Sequence, residues 1–128
     1  MATFFFDNDI SFRIVRAVAE LVQGHDVVAL RDRFPVNTPD TVWIRQVGKD
    51  GWIVISRDYN QRRRDSEREA LASNCVTALY IRCGGKPETL FVDAARIIKN
   101  WPRIQQWGLG AQLGTLARLN TKDQIESL

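Results

Sequence analysis

Apolar residues in this chain alternate between two patterns, short uninterrupted runs and longer stretches in which they recur every three or four positions. Phe4-Phe5-Phe6 is the first run, and it stops abruptly at Asp7-Asn8-Asp9. Such a run predicts a buried strand that delivers carboxylates to its C-terminal edge. Ile10, Ile14, Ala17, Val18 and Leu21 then recur at helical spacing, with Arg13, Arg16 and Glu20 mostly opposite, which predicts an amphipathic helix closed by Gly24. Val27-Val28-Ala29-Leu30 predicts a second buried strand, and Arg31 to Asn37 a charged loop. Thr38-Pro39-Asp40 predicts a helix start, with Thr38 as N-cap and Pro39 in the first turn, running to about Val47. A third strand follows at Trp52-Ile53-Val54-Ile55, ending in Ser56-Arg57-Asp58.

Ser66-Glu67-Arg68-Glu69 has the spacing of a capping box and predicts a short helix to about Asn74. Val76 to Ile81 is rich in β-branched and aromatic residues, a fourth strand that Gly84-Gly85 breaks. After Pro87 a long helix is expected, with Leu90, Phe91, Ala94, Ile97, Ile98 and Trp101 inward and Pro102 ending or kinking it. From Gly108 onward, Leu113, Leu116 and Leu119 fit a short final strand or a loose helix. Strands alternating with helices predict an α/β fold on a parallel sheet.

The 128 residues suit one domain, and 45% hydrophobic with 26% charged is the balance of an ordinary globular protein. No apolar run approaches the roughly 18 to 20 residues of a membrane span. Met1-Ala2-Thr3 carries no basic region and the apolar run ends at Asp7, so no signal peptide and a cytoplasmic location are expected. Eighteen Lys and Arg against fifteen Asp and Glu give +3, a mild attraction for polyanions. Cys75 and Cys83 lack metal-site spacing and read as reduced, partly buried thiols. Trp43 and Trp52 are expected in the core, Trp101 and Trp107 near a partner surface, and His25 in a turn remote from the acids.

The chemistry gathers at strand ends. Asp7 follows the first strand, Asp40 opens the second helix and Asp58 follows the third strand, places that meet at one sheet edge in a doubly wound fold. Clustered carboxylates repel unless they hold a proton or a cation, and Mg²⁺ or Mn²⁺ suits hard oxygen donors. Such an ion can orient a phosphodiester and acidify an attacking water. Arg57, Arg62, Arg63 and Arg64 beside Asp58 are candidates to neutralise RNA phosphates, and Tyr59 to stack on a base.

Taken together, Phe4-Phe5-Phe6-Asp7-Asn8-Asp9, Gly24-His25-Asp26-Val27, Thr38-Pro39-Asp40 and Ile53-Val54-Ile55-Ser56-Arg57-Asp58 resemble the PIN-like domains, in particular the stand-alone VapC-type toxins. The resemblance covers roughly residues 3 to 82. It implies a three-layer α/β/α sandwich with a central parallel sheet, one domain over residues 1–128 with an extension from about 108. It also implies a Mg²⁺- or Mn²⁺-dependent endoribonuclease, restrained by a cognate antitoxin, and homodimers are common in the family. Asp7, Asp40 and Asp58 match the family's first three acids. Asp9, Asn60, Asp65 and Glu67 compete for a fourth, with Asp9 and Glu67 as additional metal ligands. The competing expectations are a catalytically silent PIN-like binding module and a receiver-like phosphoacceptor domain.

Overall fold

Strand β1, Thr3–Phe6, is hydrogen-bonded on both sides and its three phenylalanines are fully buried. Alternation along a strand sends neighbouring side chains to opposite faces. Phe4 and Phe6 accordingly join one apolar cluster and Phe5 the other. Burying each ring contributes about 1.5–3 kcal/mol, which makes β1 the natural axis of the molecule.

This architecture is seen in a computed structural model that describes the backbone of residues 1–128 and every side chain except those of Gln61 and Arg62. The strands β2 (Asp26–Ala29), β3 (Ile53–Ser56), β4 (Thr77–Ile81), β5 (Leu116–Leu119) and β6 (Ile125–Ser127) complete a six-stranded sheet in the order β2-β1-β3-β4-β5-β6. Helices α1 (Phe12–Leu21) and α5 (Leu90–Gly110) pack on the Phe4 and Phe6 face. On the Phe5 face lie α2 (Leu30–Arg33), α3 (Asp40–Asp50) and α4 (Asp65–Ser73). The result is the expected α/β fold in three layers.

The sheet is not wholly parallel. β1 to β5 run parallel, but β6 returns antiparallel beside β5. A tight turn explains the reversal: the Asn120 amide donates to the Gln124 carbonyl, and the Asn120 side chain accepts from the Lys122 and Gln124 amides. Two short strands therefore stand where a single strand or a loose helix was expected.

Several local expectations yield to tertiary packing. Val15 rather than Ala17 or Leu21 is buried on α1, and Ser11 caps that helix while Gly24 lies beyond its end. The charged loop after β2 contains the one-turn helix α2. Thr38 Oγ1 donates to the Pro35 carbonyl instead of capping α3, and Pro39 occupies the cap position. Because α4 begins at Asp65, Ser66 sits inside it and no capping box forms. Pro102 does not end α5, whose buried face continues through Ile104 and Gly108. A Cβ on Gly108 would lie 2.8 Å from the Phe4 ring, so only glycine permits this close approach to β1.

Trp43 is buried and Trp52 packs beside it, as expected, but Trp101 is also buried, stacked on Phe6, and offers no partner surface. Both cysteines are free, and Cys75 is exposed rather than partly buried. His25 lies at the opposite edge from the acids, its Nδ1 accepting from the Ala2 amide at 3.0 Å. Among the described residues, no helix is long and apolar enough to cross a membrane.

Candidate active site

β2 flanks β1 on one side and β3 on the other, so the chain changes winding direction between β1 and β3. In open α/β sheets the crevice at the carboxyl ends of such strands is the usual ligand site. Asp7 extends β1 by one step, its amide donating to the Ile55 carbonyl at 3.0 Å, which buries the carboxylate at this point. The Asn8 amide donates to Asp7 Oδ1 at 2.7 Å. Asp9 turns back toward β3, where its Oδ1 accepts from the Arg57 amide at 3.0 Å.

Ser56, the last residue of β3, joins the two acids. Its Oγ lies 3.2 Å from Asp7 Oδ2 and 3.1 Å from Asp9 Oδ2, and it accepts from the Asp58 amide at 3.0 Å. A serine hydroxyl carries one proton, so it cannot donate to both carboxylates at once. One contact needs an additional proton or a cation.

The electrostatics agree. Burial, then the neighbouring Asp9 and Asp40 carboxylates, push the Asp7 carboxyl up to about 7, against the opposing Asn8 and Ser56 hydrogen bonds. Burial raises Asp9 as well, with Asp58 adding to the effect and Arg57 opposing it. The four acids thus share one field, in the order Asp40, Asp7, Asp9, Asp58.

Among protein families, the model described as PIN like domain matches residues 2–82. The chain belongs to the PIN-like domain family. No curated protein and no solved structure matches it. The matched stretch carries β1 to β4 with Asp7, Asp9, Asp40, Ser56 and Asp58, whereas α5, β5 and β6 lie beyond it.

Within this PIN-like frame the remaining predicted residues fall into place unevenly. Asp40 opens α3 and accepts from Trp43 Nε1 at 3.1 Å, which aims it from a half-buried position. Asp58 is held by Arg64, which also binds Glu67, so Glu67 is joined to Asp58 through that arginine. Asp65 is exposed and paired with Arg68, and Asn60 is exposed. Of the competitors for a fourth acid, Asp9 is the one joined to Asp7.

Arg57 Nε donates to the Asp9 carbonyl at 3.1 Å, and Arg63 lies over the Tyr59 ring at 5.8 Å. Arg62 was a candidate RNA contact, and its side chain lies outside the described residues. Ser56 was not singled out from the sequence. Its only local signal is its position at a strand end immediately before Arg57-Asp58.

Among the described residues, no group of three or more His, Cys, Asp or Glu side chains could by itself hold a metal ion. The donor chemistry nevertheless fits Mg²⁺ or Mn²⁺, since Mg²⁺ is usually bound through one or two carboxylates together with waters and substrate phosphates. Asp7 and Asp9 supply such a pair, and Ser56 lacks a second proton to satisfy both.

Proposed function

We propose that this PIN-like protein is a Mg²⁺- or Mn²⁺-dependent endoribonuclease, the VapC-type toxin of a toxin–antitoxin pair. The observation that carries the reading is the single Ser56 hydroxyl shared by Asp7 and Asp9, with Asp7 pushed up to about 7. Asp7 and Asp9 would hold the ion, with Asp40 and Asp58 adding negative charge on either side. When bound, the ion supplies neutralisation of phosphodiester charge and a more acidic water.

The chain's own residues supply the rest. The Asp7 carboxyl, pushed up to about 7 without an ion, would lose its proton as the ion binds, which leaves Asp7 an ionised ligand. Asp40 tunes it by charge, while Ser56 fixes its orientation. Arg57, Arg63 and Arg64, with Arg62 in the same run, neutralise RNA phosphates beside Asp58, and Tyr59 offers a stacking surface. Residues 1–128 act as one cytoplasmic domain, as a monomer or homodimer that a cognate antitoxin holds inactive. A receiver-like phosphoacceptor is less well supported, because no lysine lines the cleft beside Asp58.

The test combines calorimetric titration of Mn²⁺ with cleavage of a total RNA pool, for the native chain and for Asp7→Asn and Asp9→Asn. Metal binding and metal-dependent cleavage lost together in both variants is the expected result. Metal binding unchanged in both, or no cleavage by the native chain, removes the nuclease reading in favour of a catalytically silent binding module.

A further inference from the structure

Beside the acid edge, a cleft of about 650 Å³ crosses the C-terminal ends of β3, β4 and β5. Its size is that of a site enclosing a nucleotide-scale ligand. Asp9 and Asp58 line it, and its cationic residues are Arg57, Arg82, Arg96 and Arg118. The four arginines come from separate elements: after β3, after β4, from α5 and from β5. Four guanidiniums thus face two carboxylates, one of which, Asp58, is already paired with Arg64.

The arginines are held to different degrees. Arg96 is clamped by the Leu119 and Asn120 carbonyls at 3.3 and 2.9 Å, and its buried Nε has no acceptor among the described residues. Arg118 pairs with Glu126 at 2.6 Å and lies 5.7 Å from the Tyr59 ring. Arg82 is exposed, and no hydrogen bond or ion pair engages its side chain among the described residues. Three anchored guanidiniums, with Arg57 on the Asp9 carbonyl, and one uncommitted one, in a concave wall that opens onto Asp9 and Asp58, suit an extended chain of anions rather than a single carboxylate partner. Neighbouring strands lie about 4.8 Å apart, so the floor from β3 to β5 spans about 10 Å, room for more than one phosphate.

We propose that this cleft binds the phosphodiester backbone of a single RNA strand on one side of the scissile bond, with Arg82, Arg96 and Arg118 meeting its phosphates. The proposal rests on the nuclease reading and adds to it that α5 and β5, beyond the family-matched residues, supply half of the substrate cradle. A strand entering here reaches the acids after passing Tyr59.

The experiment is fluorescence anisotropy of a labelled oligouridylate in EDTA, where binding is read without cleavage. Arg82→Glu is expected to weaken binding at least tenfold, and Arg118→Ala to lower the slope of log affinity against log salt by about 0.7 for one lost contact. Lys49→Glu, on the exposed last turn of α3 at the opposite edge, is expected to bind as the native chain does. Thermal melts establish that each variant is folded. Native affinity in both arginine variants overturns the proposal, as does absence of binding by the native chain. Competition by uridine 5′-monophosphate as strong as by the unlabelled oligomer also overturns it, in favour of a pocket for a free nucleotide. RNA cleavage with Mn²⁺ is measured in parallel on the same proteins. Cleavage that survives unchanged in folded arginine variants overturns the cleft alone, whereas binding without any cleavage supports the cleft and removes the nuclease.

Discussion

Asp7 and Asp93 are both buried carboxylates, and their surroundings drive them in opposite directions. Asp93, in the first turn of α5, accepts from the Gly84 and Gly85 amides at 2.9 and 3.0 Å and from Thr89 Oγ1 at 2.9 Å. Burial acts to raise its pKa, but these donors outweigh burial and hold the carboxyl below its ordinary range. Asp7 has one amide, a share of one hydroxyl and two acidic neighbours, so its carboxyl is pushed up. A carboxylate surrounded by donors clamps a loop to a helix. One surrounded by carboxylates is left in a conflict that a cation or a proton resolves, which is how functional sites commonly differ from structural ones.

The sharpest break of this comparison is activity. On the nuclease reading, Asp7→Asn should lower metal-dependent RNA cleavage by about 10²-fold or more, since it removes a carboxylate that holds the ion, and even loss of an outer partner of a metal ligand commonly costs about 10–100-fold. Asp93→Asn, in protein that remains folded, should leave metal affinity in calorimetry near the native value. Equal loss of metal binding in the two variants would erase the distinction.

Stability should separate them with opposite sign. Asp7 binds a proton more tightly folded than unfolded, so between about pH 4 and pH 7 the folded state holds more protons and stability falls as pH rises. The full effect is on the order of 4 kcal/mol, at about 1.4 kcal/mol per pH unit. Denaturant melts in EDTA should therefore show Asp7→Asn more stable than the native chain at pH 8 and close to it near pH 4, and Mn²⁺ should stabilise the native chain only. A variant less stable at pH 8 would sink this account.

For Asp93 the folded pKa is depressed, so its contribution is present above pH 4 and is lost as pH falls below that. Asp93→Ala leaves the Gly84 and Gly85 amides without their acceptor and should cost about 3 kcal/mol at neutral pH, read from the same melts. Arg64→Ala should be the smallest change, under about 1 kcal/mol, because the ion pairs it makes with Asp58 and Glu67 are solvent-accessible.

What was legible in the sequence follows the range of the forces involved. The runs ending in Asp7 and Asp58 are local patterns, and alternation of strands with helices placed both at one edge. The Asp7–Ser56 contact spans forty-nine positions, so no local spacing announces it, and Asp9 could not be preferred over Asn60, Asp65 or Glu67. Thr38 and Ser66 carry the right chemistry for caps, yet packing set the helix starts elsewhere. β5 and β6 are too short to show a period, and glycines at 110 and 114 precede β5. Arg82, Arg96 and Arg118 gave no signal, being single residues that only the sheet brings together.

The sheet order also has a bearing on when the acid edge is assembled during synthesis. β1 lies inside the sheet, but its partner β3 arrives some fifty residues later, and the β5 wall of the cleft some sixty residues after that. Pairings between distant segments form only after the intervening chain is available. A nascent chain thus carries Asp7 well before it has Ser56 to organise the acids or Arg118 to hold a strand. The acid edge and the arginine cleft are thus completed in separate steps, the first when β3 pairs with β1 and the second when β5 pairs with β4.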